Sequence, residues 1–83
     1  HLMPYEKLQL QLNTAEEALL SAYRKHIDRV VLIHGLGSGK LRDALTSVYA
    51  KFEGLAVYDA AYAEFGRGAT EVKLYLKRFK RKE

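Results

Sequence analysis

The chain has 83 residues, a length that allows one small domain. Because 48% of the residues are hydrophobic and 29% are charged, the composition is that of a globular protein and excludes disorder over the whole length. The sequence contains no cysteine, which excludes disulfides and thiolate metal sites and fits a cytoplasmic protein. No apolar run approaches the roughly 20 residues that a membrane helix needs, so no membrane association is expected.

The net charge of +4 is concentrated at the C-terminus. Residues 77–83 carry five basic residues and one acid, whereas the rest of the chain carries nine of each. A basic segment of this kind can bind nucleic acid or an anionic surface, although a solubilising terminus explains it equally well. We interpret residues 1–3 as a cloning remnant, 4–76 as a single domain and 77–83 as a basic tail, and we expect that the domain was excised from a larger protein with further domains.

The first half of the chain predicts a strand, a helix and a second strand. Residues 7–12 (KLQLQL) alternate apolar and polar residues, as in a strand with one buried face. A capping-box pattern at Thr14 predicts that the first helix begins there, and apolar residues at helical spacing continue it to near His26. The β-branched run at 30–33 is typical of a central strand covered on both faces.

The second half predicts a helix followed by two strands. The helix begins at Lys40 and stops near Gly54, residues 55–60 form a strand, and residues 70–77 form a final strand antiparallel to it. The order βαβαββ predicts an α/β chain of the α+β two-layer sandwich type. We expect a four-stranded mixed sheet packed against two helices, with the first strands parallel.

Between the second strand and the second helix lies a glycine loop that is suited to phosphate. Gly35, Gly37 and Gly39 allow close backbone approach, and the helix that follows offers unpaired N–H groups. Lys40 and Arg42 stand in the first helical turn against the preference of the helix dipole, which indicates an anion nearby. A tight turn with ordinary surface charges is the alternative. The spacing matches neither the P-loop nor the dinucleotide fingerprint, and we predict no cofactor and no metal.

His34 lies at the carboxyl end of its predicted strand, the edge where open α/β sheets bind ligands. There an imidazole can hydrogen-bond a phosphate, act as a general acid or base, or fix the loop. Because a single histidine more often serves structure than catalysis, we interpret His34 first as a structural or binding residue and second as a catalytic one.

The residues from His34 to Arg42 (HGLGSGKLR) resemble the HGxGxGxLR motif of the Smr (small MutS-related) domain. A second family feature, a glycine-rich turn before a small residue, threonine and an apolar strand, is similar to residues 65–75 (FGRGATEVKLY). The resemblance covers about residues 7–76 and is greatest to Smr domains at the C-terminus of bacterial proteins of unassigned role. It implies a βαβαββ fold and nucleic-acid binding, and some family members nick DNA or cleave RNA.

The sequence departs from the family where an LDLHG motif is expected. Those positions fall on residues 8–12 (LQLQL), so that the acid is replaced by Gln9, the histidine by Gln11 and the glycine by Leu12. Glutamine is neither a general base nor a good ligand for a divalent metal. The other carboxylates nearby, Asp59 and Glu64, are interpreted as turn residues. The resemblance therefore implies binding without efficient cleavage.

The sequence leaves three functional hypotheses open: a nucleic-acid-binding Smr-type module for DNA or RNA, an Smr-type endonuclease that uses His34, and a protein-interaction module. For the first, Tyr58, Tyr62 or Phe65 are candidates to stack on unpaired bases, although at helix and strand spacing most aromatic residues of this chain are expected in the core. The residues predicted to contact nucleic acid are His34, Gly35, Gly37, Ser38, Gly39, Lys40, Arg42, Arg67, Lys77, Arg78 and Lys80.

Overall fold

The computed structural model of the chain describes residues 3–34, 39–59 and 68–82. Two helices and five strands follow one another in these residues. Their bounds are α1 Pro4–Arg24, β1 Arg29–Ile33, α2 Lys40–Tyr49, β2 Phe52–Glu53, β3 Leu55–Asp59, β4 Ala69–Leu74 and β5 Lys80–Arg81.

The first helix begins earlier than the sequence pattern predicts. Residues 7–12 are helical, so the prediction of a strand there is wrong, and α1 starts at Pro4, whose fixed φ suits the first helical position. Thr14 lies in mid-helix, where its hydroxyl donates to the Leu10 carbonyl oxygen at 2.9 Å instead of capping a new helix. Leu8 and Leu12 are half-buried on the helical face that continues through Ala15, while Leu10 is exposed.

The helix ends as the sequence predicts, close to His26. This residue has φ +58°, a left-handed conformation that is uncommon for residues other than glycine. The Ile27 N–H donates to the Ala22 carbonyl oxygen at 2.8 Å, which is the long hydrogen bond of a Schellman motif. The chain is thereby turned back toward β1.

Strand β4 is the centre of a three-stranded sheet with the order β1-β4-β3. Both of its pairings are antiparallel, with Val72 opposite Val30 on one side and Val57 on the other. The sequence predicts that the strand at residues 70–77 runs antiparallel to the strand at residues 55–60, and the pairing of β4 with β3 confirms this. β1 and β3 run in the same direction but do not pair with each other, and β1 is an edge strand rather than the predicted central one.

The helices pack on one face of this sheet. Leu19 of α1, Val48 of α2 and Val72 and Leu74 of β4 are at most 2% exposed and belong to one core cluster. The α+β class with two helices against a sheet is confirmed. The predicted four-stranded count matches only roughly, since the segment expected to add the fourth strand is part of α1.

The basic C-terminal segment is packed onto the domain as far as it is described. β5 pairs with β2, placing Lys80 opposite Glu53, and Phe79 is 4% exposed with its ring stacked on Phe52 at a centroid distance of 5.0 Å. The prediction that the second helix continues to near Gly54 is therefore wrong, since α2 ends at Tyr49 and Phe52 belongs to β2. Gly54 makes this packing possible, because a Cβ there would lie 2.5 Å from the Phe79 backbone nitrogen.

An ionic contact joins the same segment to α1. The Glu16 carboxylate accepts from Lys51 Nζ at 2.9 Å and from Arg81 Nη2 at 2.8 Å. These two hydrogen bonds hold the pKa of Glu16 below its ordinary value. In the described part of the chain, no helix is long and apolar enough to cross a membrane.

The helical state of residues 7–12 can be tested at the exposed Leu10. We expect Leu10→Pro to lower the free energy of unfolding by about 3 kcal/mol or more, because proline removes a hydrogen bond and clashes within a helix. The matched variant Leu10→Ala is expected to change stability by less than about 0.5 kcal/mol, since alanine favours helices and the side chain is exposed. Urea denaturation followed by far-UV circular dichroism measures both, and equal stability of the two variants would contradict a helix there.

The packing of the C-terminal segment predicts a large effect at Phe79. Phe79→Ala should lower the free energy of unfolding by about 3–5 kcal/mol, because it leaves a cavity beside Phe52. Urea denaturation measures this loss. A loss below about 1 kcal/mol would mean that the segment is not part of the core.

Candidate nucleic-acid interface

His34 is held at the end of β1 by strand β4 and the residue before it. Its backbone N–H donates to the Gly68 carbonyl oxygen at 2.7 Å, and its Nε2 lies 2.9 Å from the Thr70 hydroxyl oxygen. Thr70 is 6% exposed and is the one buried polar side chain of the core among the described residues. His34 and Thr70 are 36 positions apart in the sequence. They are in contact because the antiparallel pairing of β1 and β4 places the end of β1 beside the start of β4.

The second helix begins directly after the glycine loop, as predicted. Gly39 is its N-cap and has φ +83°, a conformation that glycine adopts without strain. The Asp43 N–H donates to the Gly39 carbonyl oxygen at 2.9 Å, which closes the first turn. Lys40, the first helical residue, is exposed at this end of α2.

A depression of about 490 Å³ lies between α1, the end of β1 and the start of α2. α1 contributes Lys7 and Gln11, β1 is followed there by His34, and α2 contributes Lys40. Among the described residues that line it, two are lysines and none is a carboxylate. The full set is Pro4, Tyr5, Lys7, Leu8, Gln11, His34, Gly39, Lys40 and Leu41.

The structure divides the predicted nucleic-acid residues between two ends of the sheet. His34, Gly39 and Lys40 lie together at the carboxyl end of β1, and Arg42 is exposed on the first turn of α2. Lys77, Arg78 and Lys80 line a separate depression with Glu53 and Gly54, at the opposite end of β3. The five residues of β3 separate the two ends by about 17 Å. Gly35, Gly37, Ser38 and Arg67 lie outside the described residues, as do Tyr62, Glu64 and Phe65.

The two glutamines that replace the family's acid and histidine have different surroundings. Gln11 lines the depression beside His34, whereas Gln9 donates its amide N–H to the Asn13 side chain at 2.9 Å along α1. Among the described residues, no group of three or more His, Cys, Asp and Glu side chains could hold a metal ion. Asp59 ends β3, at the same end of the sheet as His34.

Two residues of this site were missed by sequence reasoning. Lys7 was interpreted only as part of a strand, and its place in the depression depends on the helical state of α1. Thr70 could have been found from the alternation of β4, since it shares the inward parity of Val72 and Leu74.

The Smr domain family model matches residues 5–75. The chain therefore belongs to the Smr domain family, whose members are generally nucleic-acid-binding or nicking domains. Neither the curated proteins nor the solved structures gave a match. The family assignment covers α1 through β4 and includes both ends of the glycine loop.

The contact between His34 and Thr70 predicts an energetic coupling. In a double-mutant cycle with His34→Ala and Thr70→Val, we expect a coupling energy of about 0.5–1.5 kcal/mol in the free energy of unfolding, the net contribution of one hydrogen bond. Urea denaturation of the four proteins measures it. Additive effects, within about 0.3 kcal/mol, would contradict a stabilising hydrogen bond between the two side chains.

Proposed function

We propose that this Smr domain binds nucleic acid through the phosphate backbone, at the depression between α1, β1 and α2, and that it binds without efficient cleavage. The observation that carries the proposal is the position of Lys7 and Lys40 around one depression next to His34. Membership of the Smr family supports nucleic acid as the class of partner.

The chemistry of the depression favours a phosphate group. The two ammonium groups supply positive charge, and phosphate contacts by lysine are the main source of nucleic-acid affinity that is independent of sequence. The Gln11 amide can donate a further hydrogen bond, and the first turn of α2 directs backbone N–H groups to the same end of the sheet. The described lining residues include no carboxylate, and Asp43 Oδ2, in the first turn of α2, lies 4.0 Å from the position that a Cβ on Gly39 would take.

The residues around His34 favour binding over cleavage. Its Nε2 lies 2.9 Å from the Thr70 hydroxyl oxygen, so proton transfer would have to use Nδ1 while that contact persists. Gln9 and Gln11 offer no acid or base. A second candidate function, cleavage with His34 as the acid–base group, is favoured by the position of this imidazole in the depression itself.

A phosphate site at this end of the sheet predicts a change in salt dependence. We expect the double variant Lys7→Ala/Lys40→Ala to weaken binding similarly for all sequences and to reduce the slope of log K against log salt by about 2, one unit for each phosphate contact. Fluorescence anisotropy measures this with single-stranded and duplex DNA and RNA at several salt concentrations. Substitution of point charges is preferable to deletion of residues 77–83, because the deletion would remove the buried Phe79.

The matched control is Lys25→Ala. Lys25 is exposed at the C-cap of α1 and lies about 27 Å along the helix from Lys7, so its loss should leave the salt slope unchanged. An unchanged slope in the double variant, with loss of binding after Arg78→Ala/Lys80→Ala, would place the site at the other end of the sheet. Absence of binding to every probe would favour a protein-interaction module.

The binding mixtures also test cleavage when they are run on a denaturing gel. Intact strands with the wild-type protein would agree with the proposal. Strands that are cut by the wild-type protein and left intact by His34→Ala would establish the nuclease instead.

A further inference from the structure

Neither of the two described helices covers one face of the three-stranded sheet. Both helices pack on the face that carries Val72 and Leu74, so the side chains of opposite parity point away from the core. We call this second side the open face. Its described residues that are not buried are Arg29, Val31, Ile33, Ala56, Tyr58, Glu71 and Lys73.

Two tyrosines lie on the outward side of β3 and β4. Tyr58 of β3 is 51% exposed, and Tyr75 continues the outward parity of Lys73 just after β4. The pKa of Tyr58 is raised above its ordinary value, mainly by the hydrogen bond between its hydroxyl and that of Tyr75.

Two cations lie over the ring of Tyr75. Arg78 Cζ lies 4.8 Å from the centroid of the Tyr75 ring, and Lys73 Nζ lies 5.5 Å from it. Such cation–π contacts hold the two charged groups at the surface of the ring. Arg29, the third cation of this side, is paired with Glu71 at 2.9 Å. The described side chains of the open face and its border thus carry three positive charges and one negative charge.

From this juxtaposition we infer that the open face binds the unpaired bases of a single-stranded nucleic acid, with a base stacked on Tyr58 and the neighbouring phosphates held by Lys73 and Arg78. The inference rests on the proposed function and adds a second surface and a substrate class to it. Aromatic rings that project from a sheet among basic residues are a general means of holding single strands, because every base has a π-face.

The arrangement fits a single strand better than a duplex or an apolar protein. A duplex keeps its bases paired and stacked, so none is available to Tyr58. An apolar partner would have to bury Lys73 and Arg78 without compensating charges, at a cost in free energy that phosphates do not incur. The open face ends beside Arg78, so the strand that stacks on Tyr58 also meets a cation next to the Tyr75 ring.

The test compares three probes of equal length: a single-stranded oligonucleotide, its duplex, and an abasic strand that has the same sugar–phosphate backbone without bases. Fluorescence anisotropy at one salt concentration gives each Kd. We expect Tyr58→Ala to raise the Kd of the single strand by roughly 5- to 150-fold, the loss of one stacked base, and to leave the Kd of the duplex and of the abasic strand unchanged. Tyr58→Phe, which keeps the ring, should lie closer to wild type than to Tyr58→Ala.

The controls separate this inference from the function on which it depends. Lys25→Ala should match wild type on all three probes, and Lys7→Ala/Lys40→Ala should weaken all three because it removes phosphate contacts. If Tyr58→Ala binds the single strand as wild type does while Lys7→Ala/Lys40→Ala binds it more weakly, binding at the open face is overturned and the proposed function stands. If Tyr58→Ala weakens the abasic strand equally, stacking is overturned. If no probe binds to the wild-type protein, both proposals fail.

Discussion

The antiparallel insertion of β4 between β1 and β3 is the constraint on which the rest of the structure depends. Val72 and Leu74 are at most 1% exposed and belong to the core cluster formed with both helices. A shift of β4 by one residue would therefore move them to the other face of the sheet and expose them. The same register places Thr70 at the end of β1, where its hydroxyl meets His34. The most buried strand thus positions the residue from which the candidate site is built.

The alternation of β4 serves both faces of the sheet. Its inward side chains contribute to the core at Val72 and Leu74 and contact His34 at Thr70. Its outward side chains include Lys73, which lies over the ring of Tyr75 just beyond the strand. The chain after Tyr75 returns to the core at Phe79, which holds Arg78 close to the Tyr75 ring. Stability and the two proposed surfaces therefore depend on one strand and its continuation, and substitutions that test binding have to be confined to exposed side chains.

Much of the fold was predictable from local pattern. Periodicity predicted strands β3 and β4. Residues typical of helix ends predicted the start of α2 at Lys40 and the end of α1 near His26. Residues 7–12 were not predictable in this way, because Leu8 and Leu12 satisfy a helical period as well as an alternating one, and only packing of the continuous helix decides between them. The motif indicated His34 and Lys40 because they are close in the sequence. The position of Lys7 in the depression could not be predicted, because it depends on α1 being helical at residues 7–12. The pairing of Phe52 with Phe79 is a long-range contact that no local pattern encodes.

The most direct test of the account is a map of the binding surface by NMR. A uniformly ¹⁵N-labelled chain is titrated with a short single strand, and amide shift changes are followed residue by residue. We expect changes at Lys7, His34 and Lys40 and along the open face at Tyr58 and Lys73, with the C-terminal end of α1 near Lys25 unaffected. Changes restricted to residues 77–82, or to the end of α1 near Lys25, would contradict the two proposed surfaces.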